Sequence, residues 1–357
     1  MPVPLYNYCG HRWVIDNAGQ KTASGYAVQF KNLKMERKLI GIDIGGTKTA
    51  IVLGQTASSK LQILKDTRFA TNKAEETIRQ IISTIWKVLR KHELKVEDIS
   101  AIGISCGGPL NSRTGFIQSP PNLPGWDNIP IVEKIKNEFN IATGLQNDAN
   151  ACALAEWKFG AGQGTDNMIF LTFGTGLGAG LILNGALYSG TNDNAGEIGH
   201  IRLTDFGPVG YGKSGSFEGF CSGGGITQLG QSLLKEKAQM GIIYTWCPPE
   251  ELNTLTTLKI AEAALQGDEL AKEVFRISGT KLGQGLSILI DVLNPELIVM
   301  GGIYTRCRTL LESYMLDALG KEALPQARKA CRILPSQLGE DIGSYAALSV
   351  AANLLND

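Results

Sequence analysis

Two apolar runs, each interrupted by a glycine-rich turn, constrain this chain of 357 residues more than any other feature. The first run spans residues 41–53 and turns at residues 45–48, and the second spans residues 168–183 and turns at residues 174–176. An apolar strand, a glycine turn and a second apolar strand predict a β-hairpin in each case. Because the two hairpins are similar and stand at the head of successive segments, they indicate a duplicated α/β unit.

The tips of both hairpins are suited to approach an anion. Backbone N–H groups at a glycine turn can point at phosphate oxygens without interference from side chains. In the first turn, Thr47 adds a hydroxyl donor and Lys48 adds a cation. Asp43, at the end of the first strand, is placed to hold a hydrated Mg2+ beside such a phosphate. Two facing hairpins of this kind would clamp a triphosphate from both sides.

Other phosphate motifs fit these residues poorly. Gly174, Gly176 and Ala179 satisfy the pattern G-x-G-x-x-A, but that fingerprint must open a helix, and residues 181–185 predict a strand and a turn. The Walker pattern is absent because Thr47 lies between the glycine and the lysine that it requires to be adjacent. A single glycine hairpin is most often only a hairpin, so the inference rests on the matched pair.

The composition is that of an ordinary folded protein. Hydrophobic residues make up 43% and charged residues 19%, and the length suffices for two domains with full cores. The formal net charge is +0, so the overall field favours neither nucleic acid nor an anionic membrane as a partner. No apolar run approaches the length of a membrane span. The seven cysteines are scattered without a C-x-x-C motif, which predicts reduced thiols in a cytoplasmic protein.

Residues 1–36 differ from the rest of the chain. They contain several prolines and glycines, have no helical periodicity and lack the apolar core of a signal peptide. Met35 directly precedes the entry to the first predicted strand. We therefore expect an N-terminal extension without a catalytic role, and Met35 as the natural start.

Strand and helix patterns alternate from Leu39 onward. This alternation predicts parallel α/β sheets whose functional sites lie at the carboxyl ends of the strands. Apolar residues at helical spacing begin at Ile78. Further helices are predicted at residues 130–139, 151–159, after 225, 258–274, 278–293 and 344–355.

Asn147 and Asp148 end an irregular stretch and open an alanine-rich helix. Asp148 has two interpretations that the local sequence leaves open. It is either the N-cap of that helix, or a carboxylate that accepts a proton from a hydroxyl nucleophile.

Two further loops carry polar groups suited to a sugar. Glu197 and His200 lie among glycines and are able to hydrogen-bond adjacent hydroxyls of a sugar ring. Residues 122–126 form a second loop with an amide and an aromatic side chain, although taken alone it is more simply a Pro-Gly turn.

Six separated motifs, taken in their order along the chain, resemble those of the ROK family of sugar kinases and repressors. This family lies within the actin/hexokinase/Hsp70-like ATPase superfamily. The resemblance runs from about Leu39 to the C-terminus. It rests on residues 43–48, 122–126, 147–148, 174–180, 197–200 and 294–302. It implies two ribonuclease H-like α/β domains with a nucleotide and sugar cleft between them. The smaller domain would comprise residues 37–148 and the C-terminal helix at about 342–357, and the larger one residues 149–341.

The resemblance also implies roles for individual residues. Asp148 would be the catalytic base that deprotonates the 6-hydroxyl of a sugar. Sugar-binding roles are implied for Gly108, Asn122, Asn147, Glu197, His200 and Glu218. Mg2+ would bridge the phosphates of ATP, and Asp43 would contact the water shell of the ion. ATP-binding roles are implied for Asp43, Gly45, Gly46, Thr47, Lys48, Gly174, Thr175, Gly176, Gly301 and Gly302.

One departure from the family pattern concerns zinc. Family members usually follow the Glu-x-Gly-His motif with three cysteines that bind Zn2+ together with the histidine. In this chain those positions hold Val209, Tyr211 and Ser216. One imidazole without thiolates cannot complete a four-ligand zinc site. We therefore expect no zinc, and a His200 that is oriented by hydrogen bonds alone.

The resemblance implies an ATP-dependent hexose kinase that phosphorylates the 6-hydroxyl, with glucose as the first expectation. N-acetylglucosamine or N-acetylmannosamine is the second expectation. The rival classes are a sugar-responsive transcriptional regulator and a catalytically silent sugar sensor. Residues 1–36 are too short and too interrupted by glycine and proline for a helix-turn-helix domain. A cytoplasmic homodimer that binds no nucleic acid and no membrane is also expected.

Overall fold

The computed structural model describes residues 14–15, 21–22, 36–57 and 60–355. The chain divides into two units, Met1–Met35 and Glu36–Asp357. In the first unit, β1 (Val14–Ile15) pairs antiparallel with β2 (Lys21–Thr22). The expected start at Met35, and most of the predicted extension, lie outside the described residues.

The second unit contains both predicted hairpins. Its strands are β3 (Arg37–Ile44), β4 (Lys48–Ala57), β5 (Lys60–Ala70), β6 (Ile99–Cys106), β7 (Leu110–Asn111), β8 (Phe116–Ile117), β9 (Thr143–Asn147), β10 (Met168–Phe173), β11 (Leu177–Leu183), β12 (Ala186–Tyr188), β13 (Val209–Gly210), β14 (Lys213–Ser214), β15 (Leu297–Met300) and β16 (Arg332–Pro335). Its helices are α1 (Ala74–Lys91), α2 (Ile131–Phe139), α3 (Asp148–Phe159), α4 (Phe217–Phe220), α5 (Gly223–Gln239), α6 (Thr257–Leu265), α7 (Glu269–Leu293), α8 (Ile303–Glu322), α9 (Pro325–Ala330) and α10 (Ile342–Asn353).

Within the described residues, two five-stranded sheets share one topology. The first sheet has the order β5-β4-β3-β6-β9, and the second has the order β12-β11-β10-β15-β16. Numbered by their own strands, both follow the order 3-2-1-4-5, which confirms the predicted duplication. The expectation of parallel sheets holds for part of each sheet only, because the first three strands pair antiparallel and the remaining pairs are parallel. Short turns join the first strands, and short turns permit only antiparallel pairing.

Helices cover both faces of the first sheet. The apolar stripe of α1, which includes Ile78, Ile81 and Ile85, is buried against one face. The alanine-rich α10 packs on the other face, where it contacts strands β3, β4 and β6. A Cβ at Gly103 of β6 would lie 2.2 Å from the carbonyl oxygen of Ala347, so only glycine lets α10 approach this closely.

The second sheet is covered in the same way. Helix α3 packs against β10 and β11 and against α10, while α5 to α8 form the large core on the opposite face. No helix in the described part of the chain is both long and apolar enough to cross a membrane.

Helices α8 and α9 were not predicted, and the predicted helix boundaries differ from the structure most clearly in one region. Helices were expected at residues 258–274 and 278–293, but the break falls earlier, at Gly267. Gly267 has φ +100°, a conformation that glycine adopts readily and other residues do not. Asp268 then caps α7 by accepting a hydrogen bond from the N–H of Ala271 at 2.8 Å.

Candidate active site

Helix α3 begins directly where β9 ends, and Asn147 is its N-cap. The side-chain oxygen of Asn147 accepts a hydrogen bond from the N–H of Asn150 at 2.7 Å. The N-cap interpretation of Asp148 was therefore wrong, because the preceding residue fills that position. Asp148 is the first helical residue, and its Oδ1 accepts from the N–H of Ala149 at 2.8 Å.

Asp43 supplies a second carboxyl group, on which the charge of Asp148 acts. Asp43 lies near the end of β3, in register with Ser105 of β6. Burial raises the pKa of Asp43 to about 7 from its ordinary value of 3.8, and the charge of Asp148 adds to the rise. The cation of Arg68 and a hydrogen bond from Ser105 oppose that rise. Two carboxylates whose ionised forms are this costly are typical of a functional site.

Asp148 is an exposed residue, although protein atoms crowd its carboxyl group. This crowding raises the pKa of Asp148, while backbone N–H donors act in the opposite direction. Asp148 therefore combines access to a ligand with a basicity above that of an ordinary aspartate.

A cavity of about 290 Å³, which we call the His200 cavity, brings together loops from both sheets. It contains most of the predicted sugar-binding residues, and its size is near the lower limit of small-molecule sites. Its lining comprises Gly108, Pro109, Leu110, Pro121, Asn147, Leu177, Asp193, Asn194, Glu197, His200, Tyr211 and Glu218.

The carboxylates in this cavity are held in different ways. Glu218, in α4, accepts a hydrogen bond from the N–H of Leu177 at 3.0 Å, which joins α4 to β11. Glu197 has no such bond in the described residues, and desolvation raises its pKa while the nearby His200 lowers it. Glu197 therefore presents a carboxylate that is free to accept hydrogen bonds from a hydroxylated ligand.

Asn122 does not line the His200 cavity. It lies against the first hairpin turn instead, since a Cβ at Gly46 would be 2.6 Å from the carbonyl oxygen of Asn122. The Asn122 amide also lies against Gly107, at the end of β6. Trp126 of the same loop is 1% exposed and belongs to the core of the first sheet. The loop thus joins the hairpin turn to the segment that lines the cavity.

The loop after His200 is held by side chains at and near the expected cysteine positions. The ring of Tyr211 contacts that of His200 edge to face, with centroids 5.1 Å apart. Ser216 caps α4 by accepting from the N–H of Gly219 at 3.0 Å. In the described parts of the chain, no group of three or more His, Cys, Asp or Glu residues is arranged to hold a metal ion.

A second cavity, of about 590 Å³, opens beside the second hairpin turn, and we call it the Thr175 cavity. The predicted residues Gly174 and Thr175 line it, and Gly302 directly precedes Ile303, which also lines it. Gly45, Gly46, Thr47 and Lys48 form the other turn, closed by a bond from the N–H of Gly45 to the carbonyl of Lys48 at 3.0 Å. The lining comprises Gly174, Thr175, Gly223, Gly224, Thr227, Leu255, Thr256, Thr257, Leu258, Ala261, Ile303, Arg306 and Cys307.

Sequence reasoning missed the start of α5 in this cavity. The N–H of Gly223 donates to the carbonyl of Gly174 at 2.8 Å, which docks the N-terminus of α5 on the hairpin turn. The run Ser222-Gly223-Gly224-Gly225 carries the signal for it, because serine followed by glycines is typical of a capped, closely approached helix start. Such a helix start supplies N–H donors to an anion.

The sequence also gave no reason to place Asp193 beside Ser112. Asp193 accepts two hydrogen bonds from Ser112, one from its hydroxyl at 2.7 Å and one from its backbone N–H at 2.8 Å. Ser112 follows β7 and Asp193 follows β12, so this contact crosses from the first sheet's loops to those of the second.

Two sheets of matching order, each headed by a glycine hairpin, define the fold of the actin-like ATPases. A model of the ROK family matches residues 39–353, and the chain belongs to that family. It is 31% identical over 315 residues to the glucokinase of Halalkalibacterium halodurans, covering 86% of this chain and 93% of that protein.

Other relatives extend the range of functions. The chain is 28% identical over 312 residues to the N-acetylglucosamine repressor of Escherichia coli O157:H7, covering 86% of this chain and 74% of that protein. A ROK family glucokinase from Streptomyces griseus, solved in complex with glucose and AMPPNP, superposes with a TM-score of 0.68 and 28% identity. That match covers 88% of this chain and 99% of the solved chain.

Proposed function

We propose that the protein is an ATP-dependent sugar kinase that transfers the γ-phosphoryl group to the 6-hydroxyl of a hexose, with glucose as the preferred substrate. The observation that carries this proposal is Asp148, an exposed carboxylate of raised pKa that directly follows Asn147, a residue in the lining of a cavity of polar side chains. Similarity to glucokinases supports the choice of substrate. N-acetylated hexosamines are the second choice.

In the proposed reaction, Asp148 accepts the proton of the sugar hydroxyl as its oxygen attacks the γ-phosphorus and the bond to ADP breaks. A base with a pKa nearer to neutrality is more effective in this role than an ordinary aspartate. Glu197, His200, Glu218 and Asn147 would orient the sugar through its other hydroxyls. Phosphoryl transfer depends mainly on such positioning and on charge stabilisation.

The residues present fit ATP and Mg2+. The ionised form of Asp43 is made costly by burial and by Asp148, and a divalent cation would relieve that cost. Asp43 would hold Mg2+ through its water shell, and the bound ion would neutralise charge on the phosphates. The Thr175 cavity offers the N-terminus of α5 and a glycine turn to the nucleotide.

The test is an ADP-release assay against glucose, mannose, fructose, N-acetylglucosamine and N-acetylmannosamine. We expect glucose to give the highest kcat/KM. In Asp148→Asn, kcat should fall by about 10²- to 10⁴-fold while the affinity for glucose is retained. The exposed Asp127, which accepts from Ser119, provides the matched control Asp127→Asn. Near-wild-type turnover in Asp148→Asn would refute the assignment of the base.

A sugar-responsive regulator is the alternative, favoured by the similarity to the N-acetylglucosamine repressor. It would bind a sugar without releasing ADP and would shift DNA in a gel. The absence of zinc remains a prediction, which metal analysis of the purified protein checks. The homodimer also remains a prediction, which sedimentation velocity checks.

A further inference from the structure

The hairpin β13–β14 has an unusual residue at its tip. Its two-residue turn consists of Tyr211 and Gly212, with φ of +44° and +76°. Turns that require positive φ at both positions favour Asn-Gly, Asp-Gly or Gly-Gly. A tyrosine with positive φ is a steric outlier, and such outliers persist where the surrounding structure holds them.

The contacts of this hairpin converge on His200. The Tyr211 ring meets the imidazole of His200 at an interplanar angle of 77°, with centroids 5.1 Å apart. On the same hairpin, the Nζ of Lys213 donates to the backbone carbonyl of His200 at 2.6 Å. The hairpin therefore contacts His200 at both its ring and its carbonyl.

Tyr211 also remains available to a ligand. Its side chain is 68% exposed, although it lines the His200 cavity. A pyranose whose hydroxyls are equatorial presents an apolar C–H face, which complements the face of an aromatic ring.

We propose that Tyr211 is a positioning and sugar-affinity residue: its ring holds the imidazole of His200 toward the cavity and forms a wall for the C–H face of a hexose. This inference rests on the proposed function. It names a determinant of sugar affinity at a position where family members usually have a zinc-binding cysteine.

Replacing Tyr211 by glycine separates a role of the ring in sugar binding from a purely structural role of the hairpin. If the role is purely structural, this variant should leave the KM for glucose unchanged. Glycine adopts positive φ without strain, so Tyr211→Gly should leave the turn intact and should not lower the thermal stability. If the ring acts on the sugar, this variant should raise the KM for glucose by about 2- to 12-fold. The kcat and the KM for ATP should stay unchanged. Tyr211→Phe keeps the ring and should restore the KM for glucose to near the wild-type value, which Tyr211→Gly does not.

A second measurement reports on His200 without turnover. The chain has three histidines, so the imidazole resonance of His200 is assigned by comparison with His200→Gln. In Tyr211→Gly this resonance should move because the ring is removed, and in Tyr211→Phe it should not. Glucose titrations of the wild type and of Tyr211→Gly, followed by calorimetry, give the binding constants directly.

The outcomes separate this inference from the proposed function. If the wild type phosphorylates glucose and Tyr211→Gly has an unchanged KM, the inference fails and the function stands. If the wild type binds glucose but releases no ADP, the function fails, and the calorimetric ratio still decides the role of Tyr211. If the wild type binds none of the tested sugars, both fail.

Discussion

Asp43 and Asp148 are residues whose positions oppose stability. Burial raises the pKa of each, so each resists ionisation in the folded protein. A carboxylate placed where its charge is costly is typical of residues retained for chemistry. The charge of Asp148 makes ionisation of Asp43 still more costly. The two carboxyl groups are therefore suited to binding a cation and accepting a proton, and do not serve to stabilise the fold.

The pH dependence of stability should reveal Asp43. Its folded pKa of about 7 lies above its ordinary value of 3.8, so the unfolded chain loses this proton first as the pH rises. The contribution of Asp43 should therefore lower the free energy of unfolding progressively from about pH 4 to pH 7 and stay constant above that range. Asp43→Asn removes this titration. Urea unfolding at several pH values should show a smaller fall for Asp43→Asn than for the wild type.

Other groups titrate in the same window, so the difference between the two proteins is the measured quantity. Equal falls in both proteins would show that Asp43 has an ordinary pKa. At pH 4 the two proteins should differ less in their free energies of unfolding than at pH 7, because Asp43 is then largely protonated in the folded wild type.

Glu156, unlike Asp43 and Asp148, has a carboxyl group that is held by several hydrogen bonds within the protein. It is 0% exposed and accepts hydrogen bonds from Ser336 at 2.6 Å, from the N–H of Ala161 at 2.8 Å and from the N–H of Leu338 at 3.0 Å. These bonds tie α3 to the segment that leads from β16 to α10. Its role is therefore structural.

Glu156→Ala leaves two part-buried backbone donors, the N–H groups of Ala161 and Leu338, without their partner. We expect the free energy of unfolding to fall by about 2–5 kcal/mol, measured by urea denaturation. Glu236→Ala, at an exposed position in α5, is the control and should change it by less than about 0.5 kcal/mol. A comparable effect of the two substitutions would contradict the structural role of Glu156.

At the scale of elements, the sequence predicted what depends on neighbouring residues. Both glycine hairpins, helix α2 and the C-terminal helix follow from local patterns. The break at Gly267 was missed because apolar spacing continues across it. Tyr211 and Asp193 were missed as cavity residues because loops distant in the sequence bring them there. Local propensity carries no information about such contacts.

The hydrogen bonds between Ser112 and Asp193 are a candidate link between the loops of the two sheets. In Asp193→Ala both bonds are lost, whereas Ser112→Ala loses only the hydroxyl bond. We expect the KM for glucose to rise in both variants and to rise more in Asp193→Ala, because the loops that frame the cavity separate. Steady-state kinetics of the two single variants and the double variant measure the coupling.

Asp193 also lines the cavity and so has a second route to the same effect. A coupling free energy of about 0.5–3 kcal/mol would support the link. Strictly additive effects would indicate that Asp193 acts on the sugar alone.

At the scale of the whole molecule, two helices each pack on the sheet that does not contain the strand preceding them. Helix α3 follows the last strand of the first sheet but packs on the second, and α10 follows the last strand of the second sheet and packs on the first. The helices also pack on each other. The domain boundaries stay a prediction of the family resemblance, which grouped the C-terminal helix with the N-terminal strands, and α10 does contact β3, β4 and β6.

The two cavities depend differently on this arrangement. Loops after the strands of both sheets line the His200 cavity, whereas residues from 174 onward line the Thr175 cavity. The geometry of the His200 cavity therefore changes when the sheets move relative to each other. The first hairpin turn, at Gly45 to Lys48, belongs to the first sheet and is not part of the lining of the Thr175 cavity, so movement of the sheets would change its distance from that cavity.

Sugar and nucleotide binding should consequently be coupled. In Asp148→Asn, which is expected to bind both substrates without turnover, glucose should tighten the binding of ATP with Mg2+. By linkage, ATP should tighten glucose binding by the same factor, about 5- to 150-fold if the coupling is of usual size. Calorimetric titration of each ligand, with and without the other at saturation, measures both factors. Independent binding would contradict movement of the sheets, and glucose binding without any nucleotide binding would favour a sugar-responsive regulator over a kinase.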